Sequence, residues 1–236
     1  MSGHSKWATT KRRKSVVDAK RGSQFTKLAK LIAVAAKDGA DPESNFKLRM
    51  AIDKAKSYSL PKDNIERAIA RGSGQGGGQT LETIIYEAYG PEGAALLIET
   101  VTDNKNRTVS DIKNILAKHG GHLGSAGSVK WQFELKGVIH LKTNQLNEEQ
   151  QLQLIDLGAE DIVVDEESAL VICPPEILQN LKQKIQSANW PEILEASTDY
   201  QAKDNLQLKQ PQKMIGLLEA LEESDDVNNV YTNAAI

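Results

Sequence analysis

Residues 83–101 read TIIYEAYGPEGAALLIETV, two apolar runs that are separated by YGPEG at positions 89–93. Branched and aromatic residues are typical of strands, and Gly and Pro between two such runs are typical of a turn. The stretch therefore predicts two neighbouring strands, at 83–88 and 94–101. It also marks a change of period, because helical spacing precedes it and strand patterns follow it.

Three helical patterns precede these strands. The first ends at Gly39 and has an apolar stripe at helical spacing: Phe25, Leu28, Ile32 and Ala35. The second opens at residues 41–43 (DPE), where a capping residue is followed by Pro in the first turn. The third follows Pro61 and ends at Gly72, where the glycine-rich stretch 72–79 predicts a flexible linker. Three short helices with short loops predict a small helical domain.

A helix and several strands are predicted after the two-strand stretch. The helix is expected to be capped by Thr108, with Asp111 three residues later, and to close at residues 120–121. A third strand is expected over 129–134. Residues 138–197 then follow the order strand, helix, strand, strand, helix, strand, which is the ferredoxin-like order.

The last two predicted elements are an amphipathic helix over 211–222 and a strand over 227–232. They complete the set of strands begun at residue 83 if the ferredoxin-like unit is an insertion. Three domains in simple sequence are the alternative, and the periodicity alone leaves both arrangements open.

Charge is distributed very unevenly along this chain of 236 residues, whose formal net charge is −3. Residues 1–72 carry 17 Lys and Arg against 7 Asp and Glu, whereas residues 73–236 carry 12 against 25. The first 30 residues hold nine basic side chains and one acidic one. This asymmetry predicts a basic arm that binds a polyanion and is attached to an acidic body, residues 73–236. Alternatively, the basic residues only line solvated faces of helices.

Signatures of catalysis or of a bound cofactor are missing from the sequence. It has no P-loop, no nucleophile elbow and no H-E-x-x-H motif. Its single cysteine, Cys173, excludes an intrachain disulfide and a four-cysteine zinc site, and its apolar strand predicts a buried thiol. His119 and His122 are three residues apart but lack further ligands nearby. No catalytic residue, metal or cofactor is therefore predicted. The chain also has no run of 18 apolar residues, so no membrane span is predicted.

One polar run inside the body is a candidate anion site. Residues 103–108 (DNKNRT) follow a predicted strand and open a predicted helix, whose backbone N–H groups can receive an anion. Arg107 could add a bidentate contact to phosphate. Plain helix capping by Asp, Asn and Thr is the alternative interpretation of the same residues.

Several motifs along the chain resemble the YebC/PmpR family. They are GHSKWA at 3–8, DAKR at 18–21, FTKL at 25–28, PKDNI at 61–65, YEAYGP at 86–91, TDNKNRT at 102–108, GSV at 127–129 and GAED at 158–161. The resemblance implies a helical domain and two α/β domains, one of them inserted in the other. It also implies a DNA-binding regulator of transcription, and relatives in bacteria and mitochondria are implicated in translation on the ribosome.

Together these observations predict an α+β fold, with an N-terminal three-helix domain and two α/β domains, one ferredoxin-like and inserted in the other. The expected boundaries are a basic arm at 1–22, a helical domain at 23–80, an α/β domain at 81–134 and 206–236, and the inserted domain at 135–205.

The expected function is that of a cytoplasmic, non-enzymatic, DNA-binding regulator of transcription. A translation factor that acts on the ribosome through ribosomal RNA is the alternative, since both nucleic acids present phosphates to Lys and Arg. No membrane or small-molecule partner is expected, and the sequence assigns no oligomeric state. The candidate nucleic-acid-binding residues are Lys6, Lys11, Arg12, Arg13, Lys14, Lys20, Arg21, Lys27 and Arg107.

Overall fold

The computed structural model describes residues 18–75, 80–188 and 190–236, with side chains from residue 22 onward. Most of the predicted basic arm lies outside the described residues. Two compact units are present. The larger unit comprises the described residues up to 133 and those from 202 onward, and the smaller unit comprises residues 134–201.

Three helices open the larger unit, as the apolar spacing predicts. Helix α1 (Asp18–Ala35) continues into a 3-10 turn (Ala36–Asp38) and is followed by α2 (Phe46–Ser57) and α3 (Lys62–Gly72). Their shared core includes Leu28, Ile32, Leu48, Ile52 and Ile65. Burial of this apolar surface holds the three helices together.

Helix α2 begins later than predicted. Its N-cap is Asn45, whose side-chain oxygen accepts a hydrogen bond from the backbone N–H of Leu48, at 3.1 Å. The Asn45 amide also donates to the carbonyls of Ala35 and Gly39, at 2.7 Å each. The prediction of a start at residues 41–43 was therefore wrong, because Asn45 links α2 to the end of α1 and takes the capping position.

The next elements begin the main sheet of the larger unit. Strands β1 (Glu82–Tyr89) and β2 (Ala95–Thr102) pair antiparallel, and helix α4 (Lys105–Lys118) leads to the short strand β3 (His122–Leu123). The cap of α4 is Asn104, not Thr108 as predicted. Thr108 lies buried in the first turn instead.

The smaller unit follows the ferredoxin-like order. It contains β4 (Phe133–Leu141), α5 (Glu148–Asp156), β5 (Asp161–Val164), β6 (Ala169–Cys173), α6 (Leu178–Ser187) and β7 (Ile193–Ala202). Its sheet has the order β5-β6-β4-β7. The predicted strand over 129–134 was wrong, because residues 130–132 form a 3-10 turn and β4 begins only at Phe133.

The chain then returns to the larger unit. Here lie β8 (Leu206–Gln207), α7 (Pro211–Glu222), β9 (Val227–Thr232) and β10 (Ala234–Ala235), and α7 and β9 have the predicted bounds. Strand β9 pairs with β2, which gives the sheet order β3-β1-β2-β9. Helices α4 and α7 contribute to one buried core with this sheet, and its members include Leu96, Ile98, Leu116, Leu217 and Val230.

The turn between β1 and β2 is tied to the start of α7. Glu92 has a φ of 58°, a backbone conformation that is uncommon for residues other than glycine. Its carboxylate accepts hydrogen bonds from the backbone N–H groups of Lys209 and Gln210, at 2.9 and 2.8 Å. These hydrogen bonds join the turn between β1 and β2 to the two residues that precede Pro211, the first residue of α7.

In the described part of the chain, no helix combines the length and apolar character that a membrane crossing requires.

Gly72 tests how closely α3 packs against α1. A Cβ at this position would lie 2.1 Å from the Ala33 carbonyl oxygen and 2.7 Å from the Ala36 Cβ. Gly72→Ala should therefore force the two helices apart and lower the free energy of unfolding by about 1–3 kcal/mol. Urea unfolding of the full chain, followed by circular dichroism, measures the change.

Gly22→Ala is the matched control, because Gly22 lies in α1 and nothing approaches its hypothetical Cβ within 4 Å. It should leave stability unchanged or raise it by roughly 0.5–1 kcal/mol through helix propensity. Equal effects of the two substitutions would contradict the close approach of α3 to α1.

Candidate nucleic-acid interface

The turn at residues 103–108 is a capped helix start. The side-chain oxygen of Asn104 accepts a hydrogen bond from the Arg107 backbone N–H, at 3.1 Å. The Asn104 backbone N–H in turn donates to Thr102 Oγ1, at 2.9 Å. Asn is a preferred N-cap residue because its side chain satisfies a backbone donor that the helix leaves open.

Arg107, the candidate phosphate ligand of this turn, is already paired with two carboxylates. Its Nη2 atom lies 3.0 Å from Asp103 Oδ1 and 3.0 Å from Asp226 Oδ2, and half of its side chain is exposed. Hydrogen bonds to Asp226 and then to Asp103 raise the pKa of Arg107. A phosphate at this turn would have to compete with both carboxylates, so the geometry favours the capping interpretation. A contact from Arg107 to nucleic acid stays a prediction.

Asp226 is the centre of this cluster, and its residue is only 8% exposed. Its carboxylate accepts hydrogen bonds from Lys30 Nζ at 2.7 Å, Thr108 Oγ1 at 2.8 Å and Arg107 Nη2 at 3.0 Å. Burial acts to raise the pKa of Asp226, but the bonds from these three side chains outweigh it and lower the pKa. The carboxylate is therefore kept ionised while it joins α1 to the start of α4.

Two lysines of α1 hold the end of α7. Lys27 is buried, and its Nζ donates to the Glu222 carbonyl, while Lys30 Nζ also donates to the Asp225 carbonyl at 3.0 Å. Cations at the C-terminus of a helix satisfy its last carbonyls and interact favourably with its dipole. A small apolar cluster of Ala33, Leu81 and Val101 packs α1 against β2 as well.

The eight candidate residues other than Arg107 divide into three groups. Lys6, Lys11, Arg12, Arg13 and Lys14 lie outside the described residues. Lys20 and Arg21 lie on the described backbone of α1, but their side chains are outside the description. Lys27 departs from expectation, because its ammonium group is directed at Glu222 inside the protein and not at a ligand.

A carboxylate that the sequence analysis did not single out holds the loop between β3 and β4. Glu87 Oε1 accepts a hydrogen bond from the Gly127 N–H at 2.6 Å, and its Oε2 accepts from Val129 and Lys130 at 2.7 and 2.8 Å. Burial acts to raise the pKa of Glu87, but these backbone bonds outweigh it and lower the pKa. The sequence held a signal, since Glu87 is a charged residue between Tyr86 and Ala88 in a predicted strand.

His122 and Cys173, which were considered as a metal ligand and a nucleophile, make packing contacts or are buried. His122 stacks on Tyr89 with ring centroids 5.3 Å apart. Within the described ranges, no group of three or more His, Cys, Asp or Glu side chains could hold a metal ion. Cys173 is buried, and burial raises the pKa of its thiol to about 11, so the thiol stays protonated near neutral pH.

Comparison with known proteins matches nearly the whole chain. The family model described as "TACO1/YebC protein N-terminal domain" matches residues 5–75, and "TACO1/YebC second and third domain" matches residues 81–234. A probable transcriptional regulatory protein of Thermoanaerobacter pseudethanolicus is 46% identical over 100% of this chain and 98% of its own. Another protein of that name, from Chlorobaculum tepidum, is 46% identical over 99% of this chain and 94% of its own.

A solved structure supports the fold. The crystal structure of a conserved hypothetical protein from Aquifex aeolicus has a TM-score of 0.85 and 40% sequence identity to this chain. The match covers 94% of this chain and 93% of that one. The predicted α+β fold class is thereby confirmed.

The Asp226 cluster predicts a specific loss of stability. Asp226→Asn removes the negative charge that Lys30 and Arg107 share, and it should lower the free energy of unfolding by about 2 kcal/mol or more at neutral pH. The contribution of a carboxylate with a lowered pKa is present above the pKa of the unfolded chain and is lost as pH falls through the folded value. Below about pH 4, the variant should therefore lose less stability than the natural chain does.

Asp225→Asn is the control, because the neighbouring Asp225 is exposed and its carboxylate accepts only from Ser23 among the hydrogen bonds described here. Chemical unfolding of both variants at a series of pH values provides the comparison. If Asp225→Asn costs as much as Asp226→Asn, the buried cluster does not hold the larger unit together.

Proposed function

The chain belongs to the TACO1/YebC family, and we propose that it is a non-enzymatic, cytoplasmic DNA-binding protein that regulates transcription. The names of its relatives support a regulatory role. The observation that carries the proposal for this chain is the separation of charge between residues 1–72 and the rest.

Charge separation favours a polyanion as the partner. The excess of Lys and Arg over Asp and Glu is ten in residues 1–72, and an excess of acid of thirteen follows in residues 73–236. Lys and Arg that neutralise phosphates release counterions, which drives binding to nucleic acid without regard to sequence. The acidic remainder would repel the same ligand, so contact is expected through the N-terminal residues.

The contacts of α1 support two roles for the basic residues: some hold α1 in place, and others are left to bind phosphate. Lys27 and Lys30 are used inside the protein, where they hold Glu222, Asp225 and Asp226. They fix the C-terminal half of α1 on the body. The phosphate contacts are then assigned to six residues that precede this anchored part: Lys11, Arg12, Arg13, Lys14, Lys20 and Arg21.

Salt dependence tests this assignment. If about six phosphates of duplex DNA are neutralised, the logarithm of the binding constant should fall against the logarithm of salt concentration with a slope near −5. Replacement of Arg12, Arg13 and Lys14 by Ala should make the slope shallower by up to about 3. Fluorescence anisotropy with a labelled duplex measures both slopes.

A matched control removes three exposed cations from elsewhere in the chain, with Lys142, Lys184 and Lys209 changed to Ala. The control should keep the slope of the natural chain. An unchanged slope in the arm variant would reject the arm as the phosphate-binding segment. Preferential co-sedimentation with ribosomes at physiological salt, with no preference for any DNA, would replace the proposal by a translation factor bound to ribosomal RNA.

A further inference from the structure

We propose that Trp131 is a stacking platform for an unpaired base of a single-stranded nucleic acid. This inference rests on the proposed function, since it takes nucleic acid as the partner, and it adds a second kind of contact. The side chain lies in the larger unit, just before β4, on the loop that Glu87 holds.

The indole of Trp131 is displayed to solvent to an unusual extent. Trp131 is 68% exposed, the highest value among the exposed large hydrophobic side chains of the described residues. A single exposed hydrophobic side chain is common on protein surfaces and needs no explanation by itself. Trp131 differs from such a side chain in the hydrogen bonds that hold its ring and its loop.

The indole is held in place by a hydrogen bond from its only polar atom, Nε1. Trp131 Nε1 donates to the Ser128 carbonyl at 3.1 Å, and the Tyr89 hydroxyl donates to the same carbonyl at 3.1 Å. Glu87 fixes the backbone on both sides of Ser128 through the N–H groups of Gly127 and Val129. A ring held in this way loses little conformational entropy when a ligand stacks on it.

The surrounding sequence is basic within an acidic part of the chain. Residues 112–133 contain three Lys and two His and no Asp or Glu, although residues 73–236 carry an excess of thirteen acidic side chains. The three lysines of this acid-free segment, Lys113, Lys118 and Lys130, are all exposed. A phosphate backbone therefore meets less repulsion along this segment than elsewhere on the body.

A lone ring in a segment that contains lysines and no acidic residue suits a nucleobase better than it suits a protein surface. In the described part of the larger unit, Tyr58 is the other exposed large hydrophobic side chain, whereas protein docking needs a contiguous apolar patch. Sequence-tolerant binding of single strands combines basic side chains for the backbone with aromatic rings on which bases stack. Bases inside a duplex are stacked already, so the platform selects unpaired ones.

Binding of a labelled 12-nucleotide single strand of mixed sequence, and of the same sequence as a duplex, tests the proposal with the full chain. Stacking is worth about 1–3 kcal/mol per base, so Trp131→Ala should weaken single-strand binding roughly tenfold. Duplex affinity should stay within about twofold, and the salt slope should not change, because no charge is removed. Trp131→Phe should keep most of the single-strand affinity.

Leu152→Ala is the matched control, since Leu152 is 62% exposed and lies in the smaller unit. It should leave the affinity for both probes unchanged. Irradiation of the natural chain with a single strand that carries 5-iodouracil should crosslink the peptide containing Trp131, a readout that does not depend on the folding of a variant.

The outcomes separate this inference from the proposed function. If the natural chain binds neither probe, the proposed function fails and the platform fails with it. If the natural chain binds but Trp131→Ala has no effect, or weakens both probes equally, only the stacking platform is rejected. Crosslinks that map exclusively to other peptides reject it too.

Discussion

The larger unit depends on one buried carboxylate. Asp226 lies directly before β9, and its backbone carbonyl accepts a hydrogen bond from Val101 in β2, so it sets where the last strand joins the sheet. Its side chain is bonded to Lys30 and Thr108, which come from two different helices. A buried charge is costly unless it is paired and hydrogen-bonded, so the need to pair Asp226 holds the last strand, the start of α4 and α1 in one arrangement.

The same principle recurs in the body, where acidic side chains take up donors that could otherwise receive an external anion. Glu87 occupies three backbone N–H groups of the loop before β4, and Glu92 occupies two at the start of α7. Asp226 and Asp103 occupy Arg107. The backbone N–H groups at these two places are therefore already satisfied, which agrees with the proposal that phosphate contacts come from side-chain cations.

Periodicity predicted the elements well, because local spacing of apolar residues decides which face of a helix or strand is buried. The bounds of α7 and β9 were predicted without error, and so was the ferredoxin-like order of the smaller unit. The errors concern residues whose role is set by distant partners. Thr108 is a residue type that is common at N-caps, but its hydroxyl bonds Asp226, 118 positions away. Residues 130–132 were predicted as part of a strand, but Glu87 accepts from the backbone N–H of Lys130 and holds the loop in another conformation. Lys27 was likewise taken for a surface cation, because the carbonyl that it bonds belongs to Glu222, 195 positions away in the sequence.

Anchoring of α1 and binding by the basic residues should respond differently to salt. The bond between Lys30 and Asp226 is largely buried, with 16% and 9% of the two side chains exposed, and buried pairs are screened only weakly. Contacts between exposed Lys or Arg and phosphate weaken steeply as salt rises. Stacking on an aromatic ring contributes a component that does not require charge. In the proposed mode of binding, high salt therefore releases the phosphate backbone while α1 stays docked, and the affinity that survives at high salt reflects base contacts and not phosphate contacts.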